Sequence, residues 1–414
     1  MNDTAAKRPE PDTRSVAWAL APGTLLAGVA GGIAFPILPI VAERVGLPMV
    51  LIGVILAANR ATRVIASPLV GMAADRFGGR QTLLVGLGMQ LLVLLFYMLG
   101  ITTGWVGTWF FLGRLLHGPA SACVFIAAQS LALQAGGALH GGRAAGTVRA
   151  SIVIGVPIGL AVGGLLSEAI GDAATFVVSA VAMLAALAVA FVRVPRASVT
   201  VGRSPSLSET LRAMRDRRLV AVGALNLVLN FAASGMILTT IALLVHEREL
   251  SVLGRNEQGT AGLLMGLMFV TDAAATPLVG RLGDRFRAHA AVACGSMIAL
   301  VIGLLAIGLA DGVLGVGAGL LVVGVATAGL GPSLLVIIGS LVPSEQRGTG
   351  VGLLQLAGDV GGMVGPLVGT ALLADDTASP YVGSAALVAL FVPLAGWLVA
   401  LERRRGGRVV GPPT

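Results

Sequence analysis

Twelve long apolar runs dominate this chain, and they leave little choice of fold. A bilayer core about 30 Å thick needs about 20 apolar residues per crossing helix. Such runs fall at roughly 16–41, 50–74, 82–101, 106–133, 146–170, 173–194, 219–245, 258–282, 288–310, 312–341, 348–373 and 380–401. They are far longer than the ~10 residues of a barrel strand and do not alternate. Composition agrees with lipid as the solvent. Of 414 residues 56% are hydrophobic and 12% charged, with a mean hydropathy of +0.92, whereas soluble domains carry about 25% charged residues. An ordinary soluble enzyme is excluded, and the expected fold class is an all-α membrane protein.

An even number of spans places both termini on one side, and the basic residues say which. Twenty-one of the 28 Lys and Arg residues fall in the two tails, the central loop and the loops after spans two, four, eight and ten. The opposite loops hold only Arg44, Arg248 and Arg255. The positive-inside rule therefore makes both termini cytoplasmic. Residues 1–15, with Asp3, Lys7, Arg8, Glu10, Asp12 and Arg14, are too polar for a signal sequence and form a cytoplasmic tail before an uncleaved first span. The expected organisation is a tail (1–15), a six-helix bundle (16–194), a cytoplasmic central loop (195–218), a second six-helix bundle (219–401) and a cytoplasmic tail (402–414) in a cell inner membrane. The formal charge of +8 does not point to nucleic acid, because aromatics are 4% and none is interleaved with the basic residues. Cys123 and Cys294 sit in apolar stretches, and no His/Cys cluster suggests a metal or other cofactor.

The two halves repeat. Pro68-Leu69-Val70-Gly71 with Asp75-Arg76-Phe77 recurs as Pro277-Leu278-Val279-Gly280 with Asp284-Arg285-Phe286, every residue offset by 209. A weaker echo pairs Arg143-x-x-Gly146 with Arg347-x-x-Gly350. This is the signature of a duplicated six-helix unit.

The stretch Gly71-Met72-Ala73-Ala74-Asp75-Arg76-Phe77-Gly78-Gly79-Arg80 resembles the loop signature of the major facilitator superfamily. Phe35-x-x-x-Pro39, Arg114-x-x-His117-Gly118 and the Gly/Pro-rich fifth span add to the likeness, which covers the whole chain. Arg114 occupies the arginine position of the family's span-four motif, although His117 stands where glutamine is usual. The fifth span reads Gly155-Val156-Pro157-Ile158-Gly159, a departure from the usual antiporter Gly-Pro pair, and span one has no acid before Glu43. The resemblance implies two pseudo-symmetric six-helix bundles working by alternating access, in the twelve-span drug/proton antiporter branch.

Candidate residues follow from where polarity interrupts apolar helices. Asp75, with Gly71, Arg76 and Arg80, and its repeat Gly280, Asp284 and Arg285 lie in short cytoplasmic turns, where a carboxylate can accept from a helix N-terminus. They suit a cytoplasmic gate, or merely solvate a tight turn. Gly155, Pro157, Gly159 and Gly163, and likewise Gly361, Gly365, Pro366 and Gly369, present small residues for close helix packing, which the resemblance places where the halves meet. A charge at mid-depth costs roughly 2.5–3.5 kcal/mol on insertion scales, so each must face protein or a watery cavity. That marks Asp272, Asp359 and Arg114 as proton-coupling candidates. Arg60, Arg63, His117 and the stripe Asn226, Asn230 and Ser234 are candidates for the substrate cavity, although the stripe could equally be glue between helices. Arg149, nearer the cytoplasmic face, reads as a structural residue that snorkels. At 1.5 Å per residue, Arg63 and Asp359 lie at about one depth, so that span two and span eleven are expected to pair across the boundary, through Arg63 or Arg60.

The function expected is secondary active transport, namely proton-coupled efflux of small amphipathic or drug-like molecules. No G-x-x-x-x-G-K-[ST] run holds a nucleotide, and no enzyme is expected. Basic groups outnumber central acids, which leaves a lipid or anionic metabolite as the alternative cargo. A membrane sensor on the same scaffold is the other class. The partners expected are a small-molecule substrate, protons and membrane lipids, with the chain as a monomer.

Overall fold

The computed structural model describes residues 13–194, 216–342 and 347–406, with side chains except at 13–19, 133–147, 149, 153, 347–349 and 403–406. The N-terminal residues 1–12, the loop 195–215, the tail 407–414 and the Arg149 side chain lie outside the described residues. Twelve helices are long and apolar enough to cross a membrane, and among the described residues there is no strand. Spans one to three are Thr13–Arg44, Met49–Phe77 and Gly79–Thr103. One helical stretch, Val106–Ile170, carries both span four (Val106–Ala132) and span five (Ala150–Ile170). Span six is Asp172–Arg193. Span seven joins Arg217–Asn230, a π-helical turn Phe231–Ile237 and Leu238–Glu247. Spans eight to twelve are Glu257–Phe286, His289–Leu309, Val313–Leu341, Arg347–Leu373 and Ser379–Gly406.

Local chemistry explains several boundaries. Asp216 caps span seven by accepting from the Arg218 amide at 2.8 Å, and Asn256 caps span eight by accepting from the Gly259 amide at 2.9 Å. Gly78 (φ 89°) and Gly171 (φ 86°) are each the single residue between two helices, a conformation that a side chain would strain. The loop expected between spans four and five is instead helical in backbone. Residues 133–149 contain no proline to break it. Span four nevertheless runs antiparallel to span three, with Gly86 against Cys123 and Gly79 against Leu131. Span five runs parallel to span one, with Gly28 against Ile152 and Gly32 against Val156, so the chain reverses between Ala132 and Ala150.

Apart from a small group at Ala66, Val70, Ala122 and Cys123, the buried apolar residues form two clusters. One buried cluster draws only on residues from Leu20 to Val194. The other draws on Leu219 to Leu398 and takes Ile40 and Leu160 from the first half.

The glycine stripes require a correction. A Cβ at Gly155 or Gly159 would overlap the span-one carbonyls of Leu25 or Val29, and Gly163 lies on Ile33, so this stripe seals span five to span one inside the first half. Likewise Gly361 and Gly365 abut the Leu227 and Phe231 carbonyls, and Gly369 abuts Met236, sealing span eleven to span seven inside the second half. The halves themselves meet along spans five and eight, where Gly164 and Gly262 leave their backbones in contact, and along spans two and eleven, where Gly53 faces Pro366 and Thr370. Only the prolines of the expected set border that seam: the Pro157 carbonyl faces Gly266 and the Pro366 carbonyl faces Gly53. The stripes repeat every four residues because tight pairing within a half demands it as much as pairing between halves does.

Candidate functional site

Arg60 and Arg63 lie three residues apart on one face of span two, and both reach across the seam to Asp359 of span eleven. Arg60 Nη1 donates to Asp359 Oδ1 at 2.8 Å, and Arg63 Nε lies 3.6 Å from Oδ2. Gln355, one turn away on span eleven, donates to Oδ2 at 3.4 Å. The carboxylate side chain is 4% exposed, whereas Arg60 and Arg63 are 22% and 18% exposed. Glycines set this approach. A side chain at Gly118 of span four would overlap Thr62 and the Asn59 carbonyl, so only glycine lets span two lie this close. A Cβ at Gly362 would stand 3.3 Å from Arg60 Nε, so the absence of a side chain there gives the guanidinium its place. Arg63 also stacks over Phe125, 5.6 Å from the ring centroid.

These arginines border a cavity of about 250 Å³. Its polar wall includes Asn59, Gln90, His117, Ser121 and Ser234, and its apolar wall includes Phe35, Phe125, Leu238 and Phe269. Arg114, one turn from His117, is 1% exposed and stacks under Phe35 at 4.9 Å. Among the described residues its Nε and Nη2 have no hydrogen-bond partner, nor does the buried Tyr97 hydroxyl or Gln90 Oε1. Buried polar groups of this kind are seldom left unmatched. Asp272 is not among the cavity residues; within the second half the Thr276 hydroxyl donates to its backbone carbonyl at 2.8 Å.

The two ends of the molecule differ. At the end that carries Arg44, the halves are tied together. Arg44 pairs with Glu257 at 2.8 Å and lies 3.9 Å from Asp172. His246 contacts Glu257 at 3.0 Å and Glu43 at 3.9 Å, and Arg255 lies 3.8 Å from Glu168. Glu168 also accepts from the Asn256 amide at 3.4 Å. Ile40 and Leu160 plug the same end with apolar contacts to the second half. At the Asp75 end, among the described residues, no ion pair or hydrogen bond joins the halves. The structure is closed at the Arg44 end.

The chain matches the Major Facilitator Superfamily over residues 20–254 and 223–413. It belongs to the major facilitator superfamily. "Multidrug resistance protein MdtG" of Serratia proteamaculans (strain 568) is 26% identical over 397 residues, covering 94% of this chain and 93% of the relative. "Multi-drug resistance efflux pump PmrA" of Streptococcus pneumoniae serotype 4 (strain ATCC BAA-334 / TIGR4) is 23% identical over 370 residues, covering 87% and 89%. Among solved structures, the nucleoside transporter NupG superposes with a TM-score of 0.75 at 13% identity, covering 94% of this chain and 98% of that one, which speaks to the fold. As a major facilitator, the chain is a multi-pass membrane transporter rather than an enzyme.

Placed in this major facilitator fold, the candidates separate. Arg60, Arg63, His117 and Ser234 line the cavity, and Asp359 sits behind the arginines. Asn226 and Asn230 do not line it. Asn226 donates to the Leu354 carbonyl of span eleven at 2.7 Å, and Asn230 donates to the Asn226 carbonyl at 2.9 Å while accepting from Ser234 at 3.0 Å. The stripe is glue at one end and cavity wall at the other, and Ser234 lies in the π-helical turn, a distortion frequent at functional sites. In the gate motif, Asp75 is exposed without a partner among the described residues. Arg80 donates to the span-six carbonyls of Phe191 at 2.6 Å and Val194 at 2.8 Å. Asp284 contacts His289 at 3.1 Å, while Arg76 and Arg285 stack on Phe77 and Phe286. Gly71 is buried, and the space around Gly280 is open. The closing network at the Arg44 end was missed, because its members lie at span ends, where charge is unremarkable in sequence. Gln90 was also missed, and its signal was a lone amide in the middle of span three.

Proposed function

We propose that this transporter exports small amphipathic molecules by alternating access, driven by protons, as a monomer in a cell inner membrane with both termini and the Asp75 end facing the cytoplasm. The observation that carries this reading is the Arg60–Arg63–Asp359 cluster. It bridges the two halves at the cavity wall, so any change in its charge state acts on the seam that must shift. The ties at the Arg44 end then seal the outer mouth, and the cavity serves loading from the cytoplasm. The moving bodies are residues 16–194 and 219–401, joined by the loop 195–218 and flanked by tails 1–15 and 402–414. Asp272, an acid without a cationic partner among the described residues, is the coupling carboxylate, and Arg114 is the cation that shapes the field behind His117. Lipid contacts fall to the arginines of the central loop.

The test is reconstitution in inside-out vesicles with an acidic lumen, assayed with a panel of fluorescent anions and cations. Accumulation of a probe in the lumen that collapses with an uncoupler is the expected result. If no probe moves under any gradient, the export reading fails and a sensor on this scaffold takes its place.

A further inference from the structure

The cavity's charge balance says more about what it holds. Two guanidiniums face it, and the buried Arg114 lies under Phe35, one turn from His117. Among the described residues the only carboxylate touching this set is Asp359, and it is more hidden than the two arginines it pairs with. A cation entering the cavity would therefore meet arginines before it met an acid. Each guanidinium carries five N–H donors. Asp359 takes one hydrogen bond at 2.8 Å from Arg60 and one ion contact at 3.6 Å from Arg63. No other side-chain hydrogen bond from either arginine to a described residue is present. Both arginines line the cavity together with an aromatic wall of Phe35, Phe125 and Phe269.

We propose that the ligand of this cavity is an amphipathic organic anion, whose acidic head takes Arg60 and Arg63 in place of Asp359 while its apolar body lies against the phenylalanines. As a statement about cargo, this rests on the export reading above. Asp359 is then a resident stand-in that keeps the arginines paired when the cavity is empty. A flat head group offering two acceptor oxygens fits the arginine fork better than a single carboxylate reaching from behind. The charges facing Asp359 come from span two alone, as Arg60 and Arg63. Span seven presents only the amides Asn226 and Asn230, and its own helix presents Gln355. Proton coupling of the anion's movement is then left to Asp272.

Two probes matched in shape and opposite in charge, radiolabelled 2-naphthalenesulfonate and 2-naphthyltrimethylammonium, test this by equilibrium dialysis against the full chain in phosphatidylcholine nanodiscs. The sulfonate should bind at least about tenfold more tightly than the ammonium, the worth of one hydrogen bond to a charged group. Asp359→Asn should tighten sulfonate binding, and the double variant Arg60→Gln/Arg63→Gln should weaken it by at least the same factor. Equal or tighter binding of the ammonium, or weaker sulfonate binding in a folded Asp359→Asn, overturns the proposal. Flux separates it from the export reading: transport of the ammonium alone ends the anion proposal and leaves export standing. Sulfonate binding that depends on the arginines, with flux of neither probe, supports the anion site and ends export.

Discussion

Removing charges from the Arg60–Arg63–Asp359 cluster should destabilise the protein unequally, and the inequality follows from exposure. Stranding one partner of a buried ion pair costs about 3–5 kcal/mol, while a solvated pair is worth about 1 kcal/mol or less. Asp359 is 4% exposed, and the two arginines, 22% and 18% exposed, border the cavity. Arg60→Gln/Arg63→Gln leaves a carboxylate with no access to water and should fall in the upper range, about 3–5 kcal/mol. Asp359→Asn leaves guanidiniums that the cavity can hydrate and should cost nearer 1 kcal/mol. The neutral triple variant, with both sets of changes, should regain most of the loss. Helix content followed by circular dichroism during dodecyl sulfate titration in mixed micelles measures all three. The double variant's deficit should also shrink as pH falls, because protonation removes the charge that burial penalises. A double arginine variant no less stable than Asp359→Asn, or a triple variant no more stable than the double, would refute the dependence of Asp359 on these arginines.

Other predictions bear on the moving parts. Gly164→Ala places a methyl against the Gln258 carbonyl and 3.2 Å from the Gly262 Cα, so it should pry spans five and eight apart and slow transport. A cysteine pair at Arg44 and Glu257 should cross-link less readily in that variant, and an unchanged yield would mean the seam tolerates the methyl. Asp75→Asn should leave stability unchanged in the same titration, since Asp75 has no partner among the described residues, yet impair flux; intact flux removes it from the gate. Asp272→Asn should uncouple flux from the proton gradient while downhill movement of the probe persists, and a retained pH dependence would assign the proton to another group. Cysteines placed singly at Gly202 and Asp376 should label only from the cytoplasm and only from outside, respectively, and the reverse pattern inverts the topology.

Most of the fold was legible because lipid removes ambiguity: every crossing backbone must satisfy itself as helix, so hydropathy alone found twelve spans. The depth arithmetic that set Arg63 beside Asp359 worked because helical rise is constant and both residues could be measured from span ends. The site was legible only where polarity broke an apolar helix. Phe35, Phe125 and Phe269 carry no such signal, since an aromatic residue facing a cavity looks in sequence like one facing lipid. The glycine stripes misled for a related reason, because spacing of four marks a close helix pair without naming the partner. Asn226 was ambiguous in the same way, and its hydrogen bond to the Leu354 carbonyl is what settles its place.

An alternating transporter needs two states within a few kcal/mol of each other, and the two ends differ too much in this one for that balance to come from packing alone. The Arg44 end holds the halves by Arg44–Glu257, Arg255–Glu168 and the His246 contacts, with Ile40 and Leu160 beneath. Whatever replaces these contacts when that end opens must form at the other end. The duplicated motif offers the material there, although most of it is committed in this state: Arg80 to span six, Asp284 to His289, and Arg76 and Arg285 to their neighbouring rings. Those bonds lie within a half, so rocking leaves them intact and they cannot report on state. Asp75 is the exception, an exposed carboxylate with no described partner at the end where no ion pair or hydrogen bond between described residues joins the halves. The cluster at Arg60, Arg63 and Asp359 lies between the two ends. It is therefore placed to survive both states as a hinge contact or to be spent in passing between them, and the unequal exposure of its members favours the second, because an anion can take the arginines from the cavity side without first uncovering Asp359.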